Sequence, residues 1–240
     1  MMKRNVKSNG NLKSSLAVLA LAILGGTFFS AQRASASSRE PVVIPAAVVD
    51  QPLSPVKGEQ TAVFAGGCFW GIQSVFQHTK GVVSATSGYA GGWTDKPSYD
   101  AVSSGKTGHA ESVRVVFDPS QISYGTLLKI FFSVAHDPTE LNRQGPDVGT
   151  QYRSIVIYTS DEQKKTVEAY IDQLNKAHVY PRPIVTQVTA FKSFFAAEAY
   201  HQGYAERNPD QPYIAINDAP KVANLRKQFP ELYTDKLAAN

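Results

Sequence analysis

The stretch Gly66-Gly67-Cys68-Phe69-Trp70-Gly71 holds the only cysteine of a 240-residue chain. Before it, Thr61 to Ala65 is short and apolar, the pattern of a buried strand. After it, Phe69, Ile72, Val75 and Phe76 recur at helical spacing, and Gly81 ends the run. Cys68 is therefore expected at a strand-to-helix junction. There the unpaired amides and the positive end of the helix dipole favour the thiolate, which is the nucleophile. A lone cysteine is more often a small buried hydrophobe. The neighbours argue otherwise: flanking glycines let backbone or substrate come close, and the two aromatics can form an apolar wall beside the sulfur.

Upstream of this stretch the chain reads as an address. Lys3, Arg4, Lys7 and Lys13 precede an apolar run from Leu16 to Phe29, and Ala34-Ser35-Ala36 supplies small residues for a signal peptidase. The run is shorter than the ~20 residues of a spanning helix. Residues 1–36 are thus expected to be a signal peptide, cut after Ala36, and the protein to be exported, into a bacterial periplasm. The leader holds five of the 24 basic residues (with Arg33) and no acidic ones, leaving 19 basic against 20 acidic residues. That balance gives no support for nucleic-acid binding. Residues 37–58, with Pro41, Pro45, Pro52 and Pro55, read as a flexible linker. Residues 59–240 are enough for one domain, and an exported chain with one cysteine has no internal disulfide to stabilise it.

Downstream, Val82 to Gly88 is a plausible strand entering a loop with Gly91, Gly92 and Gly105 that carries Tyr89, Trp93 and Tyr99. Aromatics among glycines without an apolar period suit a site better than a core. In Glu111 to Phe117, Glu111, Val113, Val115 and Phe117 share one face. On that register Glu111 lies on the apolar side, where lost solvation raises its pKa and lets it hold a proton near neutral pH. If the strand begins one residue later, Glu111 is simply solvated, and the pattern alone does not choose. Ser123 can cap a helix with Leu127, Leu128, Phe131 and Phe132 as its stripe. His136 to Tyr152 has no period and gathers Asp137, Asp147, Gln151 and Tyr152, as functional loops do. Ser154 to Thr159 and Ile184 to Thr189 read as strands. Ser160 and Gln163 form a capping box for a helix with Val167, Tyr170 and Leu174. Phe191 to Tyr204 reads as aromatic and helical, and Lys221 to Leu232 as a terminal helix. This irregular mixture predicts an α+β fold, a two-layer sandwich on a mixed or antiparallel sheet.

Two chemistries suit a cysteine here. Acyl transfer needs Cys68, a base such as His109, and an orienting acid, Asp147 or Glu111. Redox chemistry needs an apolar pocket, hydroxyl donors and an acid beside the thiolate. His78, His109, His136, His178 and His201 are scattered without metal-ligand spacing, and no phosphate loop follows a strand. A non-enzymatic binding module with a structural cysteine is the third reading.

Five motifs in order decide between them: GCFWG (67–71), GYAGG (88–92) followed by Tyr99, GHAESVRVVFDP (108–119), the run from Asn142 ending in GTQYRS (149–154), and AEAYHQGY (197–204). Together they resemble the A-type peptide methionine sulfoxide reductases, over Thr61 to Pro209. The resemblance implies a ferredoxin-like fold, no bound cofactor or metal, and selectivity for the S epimer of the sulfoxide. It implies that Cys68 attacks the sulfoxide sulfur, Glu111 protonates its oxygen, and Tyr99 and Tyr152 position that oxygen. Phe69 and Trp70 would hold the methyl group, with Asp147 a further polar residue of the pocket. Many relatives carry additional cysteines near the C-terminus; this chain has none, and Val148 stands where some carry a polar residue. The expected enzyme is therefore a monomer of one-cysteine type. Its substrates would be oxidised proteins and free methionine sulfoxide, and its Cys68 sulfenic acid would be reduced by a thioredoxin-like or glutaredoxin-like partner or a small thiol.

Overall fold

Strand β1 (Gln60–Ala65) leads into helix α1 (Phe69–Gln77), then β2 (Val82–Ala90), short α2 (Tyr99–Ser103) and β3 (Ala110–Phe117). These elements belong to a computed structural model that describes residues 42–240. The signal-peptide reading of residues 1–36 lies outside them. Helix α3 (Tyr124–Ile130) runs into a π-helical turn at Phe131–Ala135, and a small hairpin, β4 (Arg143–Gln144) and β5 (Asp147–Val148), precedes a 3-10 turn at Thr150–Tyr152. Then come β6 (Ile155–Tyr158), α4 (Asp161–Lys176), β7 (Gln187–Ala190), β8 (Phe194–Ala196), α5 (Tyr204–Arg207) and α6 (Ala219–Gln228).

The main sheet has the order β7-β6-β1-β3-β2-β8. All its neighbours are antiparallel except β6 and β7, which are parallel, so the sheet is mixed. Within it, β6-β1-β3-β2 has the strand order of a ferredoxin-like split βαβ unit. Alternation sorts the side chains onto two faces. Ala62, Phe64, Val113, Val115 and Phe117 join Ile72, Val75, Phe76, Leu127 and Leu128 in the main core under the helices. Val63, Ala65, Ala90, Ala110, Ile155 and Ile157 form a smaller cluster on the other face. Glu111 pairs with Tyr89 of β2 and is 2% exposed, so β3 does include it.

Three sequence expectations are corrected. Phe191 to Tyr204 is not a helix: it holds edge strand β8 and a 3-10 turn at Ala199–His201. Gly88 permits this, because a Cβ there would collide with the Phe195 carbonyl and the Phe194 ring. Residues 42–58 are not a loose linker. They form an extended strap in which Ile44 is buried, the Tyr170 hydroxyl donates to the Pro45 carbonyl (2.6 Å), and Asp50 accepts from the Gly125 amide (2.9 Å) and the Ser123 hydroxyl (2.6 Å). The Ser160 cap accepts from the Gln163 amide as expected, but the Gln163 side chain accepts from Thr159 and donates to the Thr61 carbonyl (2.8 Å), tying α4 to β1.

Helix α6 is more than an appended tail. The chain beyond it returns along the domain, where Tyr233 bridges to Thr79 and Ala239 to Ser84. Its start, preceded by a π-helical turn at Ile214–Asp218, is brought against α1.

Candidate active site

Cys68 is the N-cap residue of α1, and the glycines around it each receive a different element. Gly67 has φ +105°, where a side chain is strained, and a Cβ there would lie 2.6 Å from Gln144 Cγ. The β4–β5 hairpin therefore sits directly on the residue before the cysteine. Gly66 faces the His136 ring (2.7 Å from a Cβ position). Gly71, in the first turn of α1, faces the Asp218 carboxylate and Lys221 Nζ (2.8 Å) at the start of α6. Small residues thus let three segments far apart in the chain close on one sulfur.

The acid arrives from the sheet. Glu111 reaches from β3 and accepts a hydrogen bond from the Phe69 amide (3.0 Å), the residue after Cys68. Burial pushes its carboxyl up to about 8, against the pull of that amide, with Asp147 and Asp218 adding to the rise. Of the two readings the β3 pattern left open, the structure shows the buried one.

The thiol behaves differently from the expectation. Cys68 is 8% exposed, and burial holds its pKa well above the ordinary value, with the Glu111 and Asp218 carboxylates pushing the same way. The Trp70 amide at the helix start and the Lys221 ammonium oppose this without prevailing. The helix-start effect is real, but desolvation is larger, so the resting sulfur is a thiol.

Tyr99 and Tyr152 are both brought within electrostatic range of Glu111 and Cys68. Burial raises each hydroxyl, and Glu111 raises it further, so both stay protonated donors. Tyr99 opens α2, and its amide donates to Glu198 Oε1 (2.9 Å), while the other Glu198 oxygen accepts from the Tyr89 hydroxyl (2.8 Å). Tyr152 is held by its 3-10 turn, which the Gln151 side chain ties to α2, its Nε2 donating to the Ser103 carbonyl (3.1 Å). Asp147, on β5, is half-buried with its carboxyl raised by burial, and accepts from the Tyr213 hydroxyl. A cavity of about 660 Å³ reaches Cys68 between Asp147, Tyr213, Asn217 and Lys221.

The two aromatics part company. Trp70 stacks on Tyr204 (3.9 Å between centroids), meets Tyr213 edge-on (6.1 Å), and donates through Nε1 to His201 Nδ1 (3.1 Å). Phe69 is fully buried between Tyr89 and His201, so it backs the wall and offers no accessible surface of its own. Sequence reasoning assigns no site role to Glu198, His201, Tyr213, Asp218 or Lys221. The first two stand inside AEAYHQGY, and His201 is otherwise one of the scattered histidines; Tyr213 and Asp218 lie in a stretch without period, and Lys221 only opens the expected terminal helix.

The acyl-transfer alternative fails on His109. Its Nδ1 accepts from the Gly92 amide (3.3 Å) and its Nε2 donates to the Thr94 carbonyl (2.8 Å), which leaves no lone pair for a base. Among the described residues no group of three or more His, Cys, Asp or Glu could hold a metal ion.

Known proteins carry the same signature. Residues 60–233 match the family model described as peptide methionine sulfoxide reductase. The chain belongs to that family. A peptide methionine sulfoxide reductase MsrA 2 of Mesorhizobium japonicum is 56% identical over 188 residues, covering 78% of this chain and 95% of the relative. One from Synechocystis is 50% identical over 82% of this chain and 91% of its own length. Among solved structures, reduced Mxr1 of Saccharomyces cerevisiae matches with TM-score 0.60 and 33% identity, over 70% of this chain and 95% of that one. Methionine sulfoxide reductase A of Corynebacterium diphtheriae matches with TM-score 0.55 and 34% identity, over 70% and 85%. The sandwich described above is thus the fold of the methionine sulfoxide reductases of A type, and the chain is a thiol-dependent oxidoreductase of that family.

Proposed function

We propose that Cys68 reduces methionine-S-sulfoxide, free or in peptides, with Glu111 as the acid and an outside thiol as the final reductant. The observation that carries this is the Glu111 carboxyl, raised to about 8 and bonded to the amide that adjoins the cysteine. An acid that keeps its proton at neutral pH can give it up as the thiolate attacks.

The step balances as follows. The Cys68–Glu111 pair first releases one proton to solvent and keeps the other on Glu111. The Cys68 thiolate then donates an electron pair to the sulfoxide sulfur, the Glu111 proton passes to the sulfoxide oxygen, and the sulfur–oxygen bond breaks. That oxygen, now hydroxyl, ends on Cys68 as a sulfenic acid; methionine leaves as the thioether and Glu111 remains as a carboxylate. Two electrons pass from the cysteine sulfur to the substrate sulfur. The hydroxyls of Tyr99 and Tyr152 orient the oxygen, and the Trp70 face, backed by Phe69, meets the methyl group. Asp147, tied to Tyr213, is the polar edge of the pocket.

Cys68 is the chain's one cysteine, which supports recycling from outside. One thiol condenses with the sulfenic acid, releasing water and leaving a mixed disulfide; a second thiol frees Cys68. A thioredoxin-like or glutaredoxin-like protein or a small thiol fits this sequence. The basic, apolar, small-residue pattern of residues 1–36 supports export to a bacterial periplasm, where the enzyme works as a monomer repairing oxidised methionines.

The test is an assay of the protein with a methionine sulfoxide substrate and dithiothreitol, beside Cys68→Ser. The reading expects methionine from the S epimer and none from the variant. No methionine from the native protein, or equal turnover by Cys68→Ser, contradicts it.

A further inference from the structure

The buried ion pair at the start of α6 has no part in the steps above, yet it faces the nucleophile. Lys221 Nζ donates to Asp218 Oδ1 at 3.0 Å, with side-chain exposures of 21% and 0%. Both groups lie over Gly71, in the helix turn that begins at Cys68; a methyl there would collide with the Asp218 carboxylate and lie 2.8 Å from Lys221 Nζ. Lys221 lines the cavity that reaches Cys68. The other Asp218 oxygen, Oδ2, is buried without a hydrogen-bond partner. An ammonium held this way is costly to bury unless it has a task or a better partner.

We propose that Lys221 is a positioning residue for the reaction, an ammonium that steadies the Cys68 thiolate and so sends the thiol proton to Glu111, with Asp218 as the counter-charge that seats it. When the pair Cys68 and Glu111 carries one proton, that proton sits on sulfur beside a carboxylate, or on Glu111 beside a thiolate. Only the second arrangement attacks. A cation next to sulfur favours it, and among the described residues Lys221 is the one whose charge lowers the thiol pKa; Arg143, which also lines the cavity, donates to the Gly145 carbonyl (2.7 Å). The other charged and titratable groups near it are Glu111 from β3, Asp147 and Tyr213 across the cavity, Tyr99 from α2, Tyr152 from its 3-10 turn, and His136 beside Gly66, with Asp137, Glu140, Arg143 and Tyr180 further along the cavity wall. His136 is held neutral by burial, its pKa pushed down to about 3. Lys221 is the opposite case: burial is the strongest influence and works against its charge, but Asp218, with Cys68 and Asp147 adding to it, keeps it protonated. The inference rests on Cys68 being the nucleophile proposed above, but it makes a claim about the thiol that can be read without any sulfoxide.

The experiment is the pH dependence of Cys68 alkylation by iodoacetamide in the native protein, Lys221→Met, Lys221→Arg and Asp218→Asn, with thermal unfolding recorded for each. Lys221→Met should move the thiol titration to higher pH and slow alkylation near neutral pH about tenfold, one pKa unit. Lys221→Arg should restore most of it. Asp218→Asn removes the counter-charge that keeps Lys221 protonated, so it should slow alkylation in the same direction as Lys221→Met. A purely structural role predicts that both neutralising variants loosen the site and speed alkylation together; that result, or an unmoved titration in Lys221→Met, overturns the proposal. Alkylation reads Lys221 even if the sulfoxide assay fails, so the two claims fail separately.

Discussion

Glu111 carries its carboxyl into a site 2% exposed and finds one donor there, the Phe69 amide. Its folded pKa, about 8, lies above the ordinary 4.5. The folded state therefore binds more protons than the unfolded one between those values. Its contribution to stability is fully present below pH 4.5 and is lost as pH rises through 8. Two outcomes follow for Glu111→Gln. Activity falls by about 10²-fold or more, the usual value of a positioned acid. Thermal stability at pH 8 rises relative to the native protein, or at least does not fall, which calorimetry at pH 4.5 and 8 would read. In the native enzyme kcat/KM should rise as pH approaches 8, where the Cys68–Glu111 pair loses its first proton, and fall at higher pH once the second is lost. The alternation of β3 brought this residue forward as a candidate but left its burial open, because the pattern does not say where the strand begins. The height of the Cys68 pKa was not legible, because it depends on burial and on Asp218, a carboxylate 150 positions away in the chain.

At the scale of elements, α1 is the piece on which the others close. A Gly71→Ala change tests that closure. In isolation alanine favours a helix by about 1 kcal/mol over glycine. Here the methyl meets the Asp218 carboxylate, and overpacking of this kind costs roughly 1–3 kcal/mol. The expected net result is a lower unfolding temperature together with slower reduction, since the Asp218–Lys221 pair must move. A variant more stable than the native protein would mean that α6 does not press on α1. The sequence announced α1 through its period, its bounding glycines and its aromatics. It could not announce β8, because Phe194 and Phe195 owe their strand to the bare backbone of Gly88 opposite. Local propensity at Phe191 to Tyr204 pointed to a helix, and tertiary pairing overrode it.

For the whole molecule, the strap of residues 42–58 extends the domain beyond its first strand. Asp50 caps the start of α3 from a distance, taking the Gly125 amide and the Ser123 hydroxyl. Asp50→Ala should lower stability by about 1 kcal/mol, the usual value of a lost helix cap, whereas a flexible linker predicts no change. Prolines and weak periodicity concealed the strap, since its partners, Tyr170 and Gln173 of α4, lie more than a hundred residues on. The order of the five motifs made the family legible, and the single cysteine leaves this chain no second thiol of its own to resolve a sulfenic acid. That last point is the central claim: Cys68 is the sole redox station, and each turnover ends in an encounter with another molecule. The direct measurement is one exposure of the reduced protein to excess methionine-S-sulfoxide with no thiol present, followed by quantitation of methionine and intact-mass analysis. The account predicts one methionine per protein, then arrest, with one added oxygen on Cys68 as sulfenic acid. Continued turnover without thiol, or methionine formed while Cys68 stays an unmodified thiol, would contradict it.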